Sequence, residues 1–128
     1  MSERRPFPPQ LRRFVELFNE ARFWDGHEVL EDEWRAKKSD FYQGLILYAS
    51  AFVHVQRDNR HGILAQLDKA TRRLAPYGPS YLGIDVERLL QHARTARACV
   101  ERGDPVPLIR LELDPALFPG TEPEIRDE

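Results

Sequence analysis

The sequence predicts an all-α fold: a single domain of about five helices packed as a bundle, with an extended C-terminal strap. Three observations predict it. Apolar residues recur at helical spacing in five blocks. Pro, Gly, Asp and Asn separate those blocks. The one short apolar stretch outside them, around residues 108–113, has no visible second strand to pair with. The chain has 128 residues, 41% of them hydrophobic and 31% charged, an ordinary globular balance and the length of one domain. The helical core is expected over about residues 8–102, the strap over 103–118 and a frayed tail over 119–128.

Pro6, Pro8 and Pro9 form the lead-in, and Pro fits the first turn of a helix because its missing N–H would be unpaired there. Leu11, Phe14, Val15 and Phe18 then define one apolar face, ending near Asn19. The second helix is expected from about Phe23 to Lys37, with Phe23, Leu30 and Trp34 on one face. Its acidic residues lie early and its basic ones late, as the helix dipole favours. Ser39 and Asp40 are candidate N-caps for a third helix, and Asp40 with Gln43 reads like a capping box. That helix, running to about Arg57, is apolar nearly all round and therefore central. Asp58 and Asn59 interrupt it, Asn59 being suited to a left-handed ending. Ile63, Leu67, Ala70 and Leu74 mark the fourth helix, ended by Pro76, Gly78 and Pro79. Val86, Leu89, Ala93, Ala96 and Val100 stripe a fifth, from about Asp85 to Arg102. Gly103, Asp104, Pro105 and Pro107 stop it, and Leu108, Ile109, Leu111 and Leu113 begin the strap.

Several function classes are disfavoured. Lys and Arg total 19 against 21 Asp and Glu, and the two signs are interspersed, so the electrostatic footprint of a nucleic-acid binder is missing. No apolar run reaches the length of a membrane span. The Met1 to Pro9 segment lacks the apolar region of a signal peptide, and a single cysteine, Cys99, permits no internal disulfide. The expected location is cytoplasmic.

The segment from Trp24 to Trp34 holds most of the chemistry. His27, Glu31 and Trp34 stand at i, i+4 and i+7, on a face shared with Leu30 and Trp24, while Glu28 flanks it. A carboxylate beside a core is costly unless it is paired. Gln43, Leu47, Ser50, His54 and Arg57 fall along one face of the third helix, and an antiparallel hairpin could bring part of that face to His27 and Glu31. Three readings compete. In the first, the cluster is a polar network within the packing. In the second, His27, Glu31 and His54 hold a divalent metal, Zn, Fe or Mn, between helices. In the third, a carboxylate beside a histidine does metal-free acid–base work. The spacing is neither His-Glu-x-x-His nor Glu-x-x-His. His61 and His92 are expected at the surface, Cys99 as a small buried residue, Trp24 and Trp34 in packing roles, and Arg72 with Arg73 on a solvated face.

Phe18-Asn19 and Phe23-Trp24, then His27-Glu28-x-Leu30-Glu31-x-x-Trp34-Arg35, then Gln43-Gly44-Leu45-Ile46 resemble the domain of unknown function 309 family. Ala51-x-x-His54, Arg57-x-Asn59 and Gly83-x-Asp85 continue the similarity, which spans about Leu11 to Leu90. The resemblance implies a small helical protein and assigns no activity. It maps the motif onto His27, Glu28, Glu31, Trp34, Gln43 and His54. Gly26 stands where alanine is expected and weakens the helix locally, by up to about 1 kcal/mol. The sequence therefore favours a non-catalytic interaction or scaffold module, self-associating or bound to an unidentified protein. The alternative is a metal-binding protein or small metal-dependent enzyme using the His/Glu cluster.

Overall fold

The computed structural model describes residues 7–117. Five helices follow one another: α1 (Pro9–Asn19), α2 (Phe23–Lys37), α3 (Asp40–Gln56), α4 (Arg60–Leu74) and α5 (Val86–Arg102). Between α4 and α5 lie a single 3-10 turn (Ala75–Tyr77) and a small antiparallel hairpin, β1 (Ser80–Tyr81) with β2 (Ile84–Asp85). The expected tail over 119–128 lies outside the described residues.

Helix α3 is the centre, as its uniform apolarity predicts. Ten of its residues are buried, among them Phe41, Leu45, Tyr48 and Phe52. Helices α2 and α4 pack along it. Helix α1 closes one end with an aromatic cluster in which Phe18 meets Phe23, Tyr48 and Phe52 at centroid distances of 4.8, 5.9 and 5.7 Å. Burying each such side chain stabilises the fold by roughly 1.5–3 kcal/mol relative to leaving it exposed. The α5 stripe Val86, Leu89, Ala93, Ala96 and Val100 is buried, as its spacing requires, and so is Cys99.

The helix ends depart from the sequence reading in two places. The cap of α3 is Ser39, whose Oγ accepts the Tyr42 backbone N–H at 3.2 Å. Asp40 and Gln43 do not form the expected capping box, because Asp40 already lies inside the helix and its carboxylate accepts from Arg73 at 2.8 Å. After α3 the left-handed residue is Asp58, with φ 56°. Asn59 instead caps α4, its side-chain oxygen accepting the Gly62 N–H at 3.0 Å. The β1–β2 hairpin was not expected. Its turn places Leu82 and Gly83 at φ 51° and 86°, the consecutive positive values of a tight two-residue turn, for which glycine is suited. Asp85 then caps α5 by accepting the Arg88 N–H at 3.0 Å.

Gly26 has a packing reason. A Cβ there would stand 3.3 Å from Cδ1 of Phe14, so its absence lets α1 lie close against α2. The expected strap is present: residues 104–114 are extended, with no strand, and a 3-10 turn follows at Pro115–Leu117.

Candidate functional site

Helix α2 alone builds the cluster, because residues three and four positions apart lie side by side on a helix, as Glu28 and His27 each do with Glu31. Nδ1 of His27 stands 3.8 Å from a Glu31 carboxylate oxygen and 3.9 Å from one of Glu28. Neither distance is a hydrogen bond. Nδ1 is buried and has no hydrogen-bond partner. Ligand atoms of His27, Glu28 and Glu31 all lie within 4.8 Å of one another, and among the described residues this is the one such metal-capable group. Exposure rises across the group, from 17% for the His27 side chain to 30% for Glu31 and 54% for Glu28. The cluster therefore has a shielded nitrogen at its floor and a carboxylate at its mouth. Glu31 also faces Arg35 at 3.6 Å, a pairing open to solvent.

Trp24 stacks on the His27 ring, with centroids 4.9 Å apart and planes 9° from parallel. It was expected in the packing; instead it is 51% exposed, on the outward face of a turn whose Phe23 and Gly26 are buried. Trp34 does pack, half-buried against the core, with the Lys38 ammonium 4.7 Å from its ring centroid.

The other expected members lie elsewhere. His54 does not join His27. It sits at the junction of α3 and α4, its Nδ1 3.2 Å from the Asn59 amide nitrogen and its ring against Gly62, where a Cβ would come within 2.6 Å. Gln43 is half-buried in the first turn of α3, its backbone N–H donating to the Ser39 carbonyl at 3.0 Å. The antiparallel α2–α3 hairpin forms, yet the polar face of α3 contributes no ligand to the group on α2.

A second polar constellation escaped the sequence reading. His92, expected at the surface, is half-buried and bridges three elements. The Tyr48 hydroxyl hydrogen-bonds to its Nδ1. Its Nε2 donates to the Pro107 carbonyl at 2.8 Å, and its ring stacks on Phe52 with centroids 5.6 Å apart. The carbonyl can only accept, so the Nε2–H tautomer is required and Nδ1 takes the Tyr48 proton. Burial holds the imidazole below its ordinary value, with Arg88 adding to the effect and the Pro107 carbonyl opposing it. Burial likewise pushes the Tyr48 phenol far above the usual tyrosine range. Tyr48 is fully buried, so this pair joins elements rather than meeting a ligand. Two signals in the sequence pointed to it. Tyr48 is a hydroxyl flanked by Leu45, Ile46, Leu47, Ala49 and Phe52 in the apolar middle of α3, and His92 lies beside the α5 stripe between Leu89 and Ala96.

No curated protein matches the chain. Residues 11–65, which run from α1 through α2 and α3 into the start of α4, match the family model described as Domain of unknown function (DUF309), and over that stretch the chain resembles this family.

Proposed function

We propose that this protein binds a divalent transition-metal cation on α2, through Nδ1 of His27 and the carboxylates of Glu31 and Glu28. The observation that carries the reading is the His27 Nδ1 atom, buried, without a hydrogen-bond partner, and facing two carboxylates. A buried polar atom left unpaired costs about 1–3 kcal/mol, and coordination of a cation would remove that cost. One imidazole and two carboxylates suit Zn, Fe or Mn. Ligands around such an ion sit about 2.0–2.2 Å from it. Drawing the present group to that radius brings both carboxylates closer to His27, and Glu28, more than half exposed, has room to move. Three protein ligands leave a coordination position for water, the pattern of sites where the metal acts rather than staples the fold. His54 is outside the proposed ligand set.

The interaction-module reading requires a broad apolar surface. Among the described residues only Trp24 and Leu108 are large exposed apolar side chains. For that reason metal binding takes precedence over the scaffold role favoured by the sequence.

Elemental mass spectrometry of untagged protein, purified without chelator, tests the reading beside a His27→Ala, Glu31→Ala double variant. Near-stoichiometric metal in the parent and none in the folded variant is expected. A metal-free parent that takes up no added Zn, Mn or Fe(II) sinks it.

A further inference from the structure

Residues 105–109 form a short span of the strap that is held firmly at both ends. At the near end Gly103 turns the chain with φ 81°, and the Asp104 N–H donates to the Cys99 carbonyl at 2.8 Å. At the far end Arg88 donates to the Arg110 carbonyl at 2.8 Å. The Asn19 carboxamide grips Leu111 twice, donating to its carbonyl at 2.9 Å and accepting its N–H at 2.8 Å. Leu111 itself is buried in the core. Between these ends the hold is slight. Val106 and Ile109 are half-buried, and Pro105, Pro107 and Leu108 face solvent. Among the described residues the span makes one hydrogen bond, from Nε2 of His92 to the Pro107 carbonyl.

That bond comes from a side chain whose charge the surroundings oppose. The neutral imidazole satisfies both neighbours, since Nε2–H donates to Pro107 and Nδ1 takes the Tyr48 proton. A proton added at Nδ1 leaves the Pro107 bond intact but removes the acceptor of the buried Tyr48 hydroxyl. Phe52 of α3 covers the ring. The charged groups facing it are Arg88, one turn earlier on α5, and Arg110 from the strap, with the neutral Gln91 and Thr95 beside them. No carboxylate lines the cavity of about 320 Å³ that these residues share. An imidazolium beneath the closed span is therefore partly withheld from water, among cations, with nothing to neutralise it.

We propose that residues 105–109 are an acid-released flap, closed over His92 while the imidazole is neutral and lifted into solvent, between fixed ends at Asp104 and Arg110, when it is protonated. Lifting gives the imidazolium the water that the closed span withholds. It gives up one hydrogen bond and the contacts of two half-buried side chains. It also opens the cavity lined in part by Phe18, Phe23 and Ile109. The sign follows from linkage. The closed form lowers the proton affinity of His92, so it is favoured in full above the ordinary imidazole value near 6.5 and loses ground as pH falls below it. So small an opening breaks few contacts and precedes any loss of the helical core.

Methyl-labelled full chain in a neutral, inert gadolinium chelate tests this, because the relaxation of each methyl group then reports its exposure to solvent. Between about pH 7 and about pH 5 the enhancement at Val106 and Ile109 is expected to rise several-fold, while Leu45, Ile46 and Leu111 stay unchanged. A titrating histidine in a closed structure would shift nearby signals without exposing them. His92→Gln keeps a donor for Pro107 and an acceptor for Tyr48 but does not titrate, and its enhancements are expected to be the same at both ends of that range. If His92→Gln does not fold, Tyr48→Phe carries the test: without the hydroxyl the neutral imidazole is less favoured, and the rise is smaller. Constant exposure of Val106 and Ile109 in the parent overturns the proposal, as does a rise shared by Leu45 and Ile46. So does a parent-like rise in whichever of the two variants folds.

Discussion

His92 shows how much one residue's meaning depends on what packs against it. In the sequence its neighbours Gln91 and Arg94 read as surface, and so did the histidine. In the fold it holds a hydroxyl from α3 with one nitrogen and a strap carbonyl with the other. Because burial lowers its pKa in the folded state, the unfolded chain binds the proton first as pH falls. The stability it contributes is therefore complete above the ordinary imidazole value near 6.5 and is lost progressively below it. Thermal melts of the parent should fall in midpoint between about pH 7 and pH 5, and a His92→Gln variant, less stable at neutral pH, should show a flatter profile over that window. Equal slopes would remove His92 from the account. No spacing rule could have joined Tyr48 to His92, since they are 44 residues apart and meet only through the crossing of α3 and α5. His27 and Glu31 were legible because they are four residues apart on one helix, where the turn of the helix fixes their proximity. His54 was misplaced for the opposite reason: its expected meeting with His27 depended on the rotation of α3 against α2, which composition does not set.

At the scale of elements, the five helices were readable because each carries an apolar stripe of helical period, and α2 spans the predicted residues. The β1–β2 hairpin was not, since two-residue strands are too short for any alternation to register. Of the two cap candidates for α3 the structure uses Ser39, and the Asp40/Gln43 capping box does not form, because Ser39 and Asp40 are both good capping types and only the backbone decides between them. Glycine at helix contacts was likewise invisible. A Cβ on Gly44 would come within 2.6 Å of the buried Leu74 side chain, against 3.3 Å from Phe14 for one on Gly26. Gly44→Ala should therefore lower the urea-unfolding free energy by about 1–3 kcal/mol through overpacking between α3 and α4. Gly26→Ala should cost distinctly less: both changes gain helix propensity of up to about 1 kcal/mol, but the 3.3 Å contact at Gly26 needs far less movement than the 2.6 Å clash at Gly44. A neutral Gly44→Ala would show that α4 retreats freely from α3.

At the scale of the molecule, the chain devotes one side to stability and leaves two features at its rim. α3 is wrapped by its neighbours, while the histidine–carboxylate group of α2 and the strap both lie where solvent reaches. The two are held differently. The α2 group is fixed by one helix and needs no long-range contact to keep its shape. The strap is held by hydrogen bonds from α1, α5 and the β1–β2 turn, so it responds to changes in any of them. Exposed ion pairs such as Arg97 with Asp68, at 2.7 Å between α5 and α4, add little to either, about 0–1 kcal/mol each.

The central claim is that the unpaired nitrogen of His27 is a metal ligand, and imidazole nitrogen NMR tests it at the atom concerned. In nitrogen-15-labelled, metal-free protein titrated with Zn, Nδ1 of His27 should move to the metal-bound range at one equivalent, while His54, His61 and His92 stay in place. An unmoved His27, or a first response at His61 or His54, would contradict the claim.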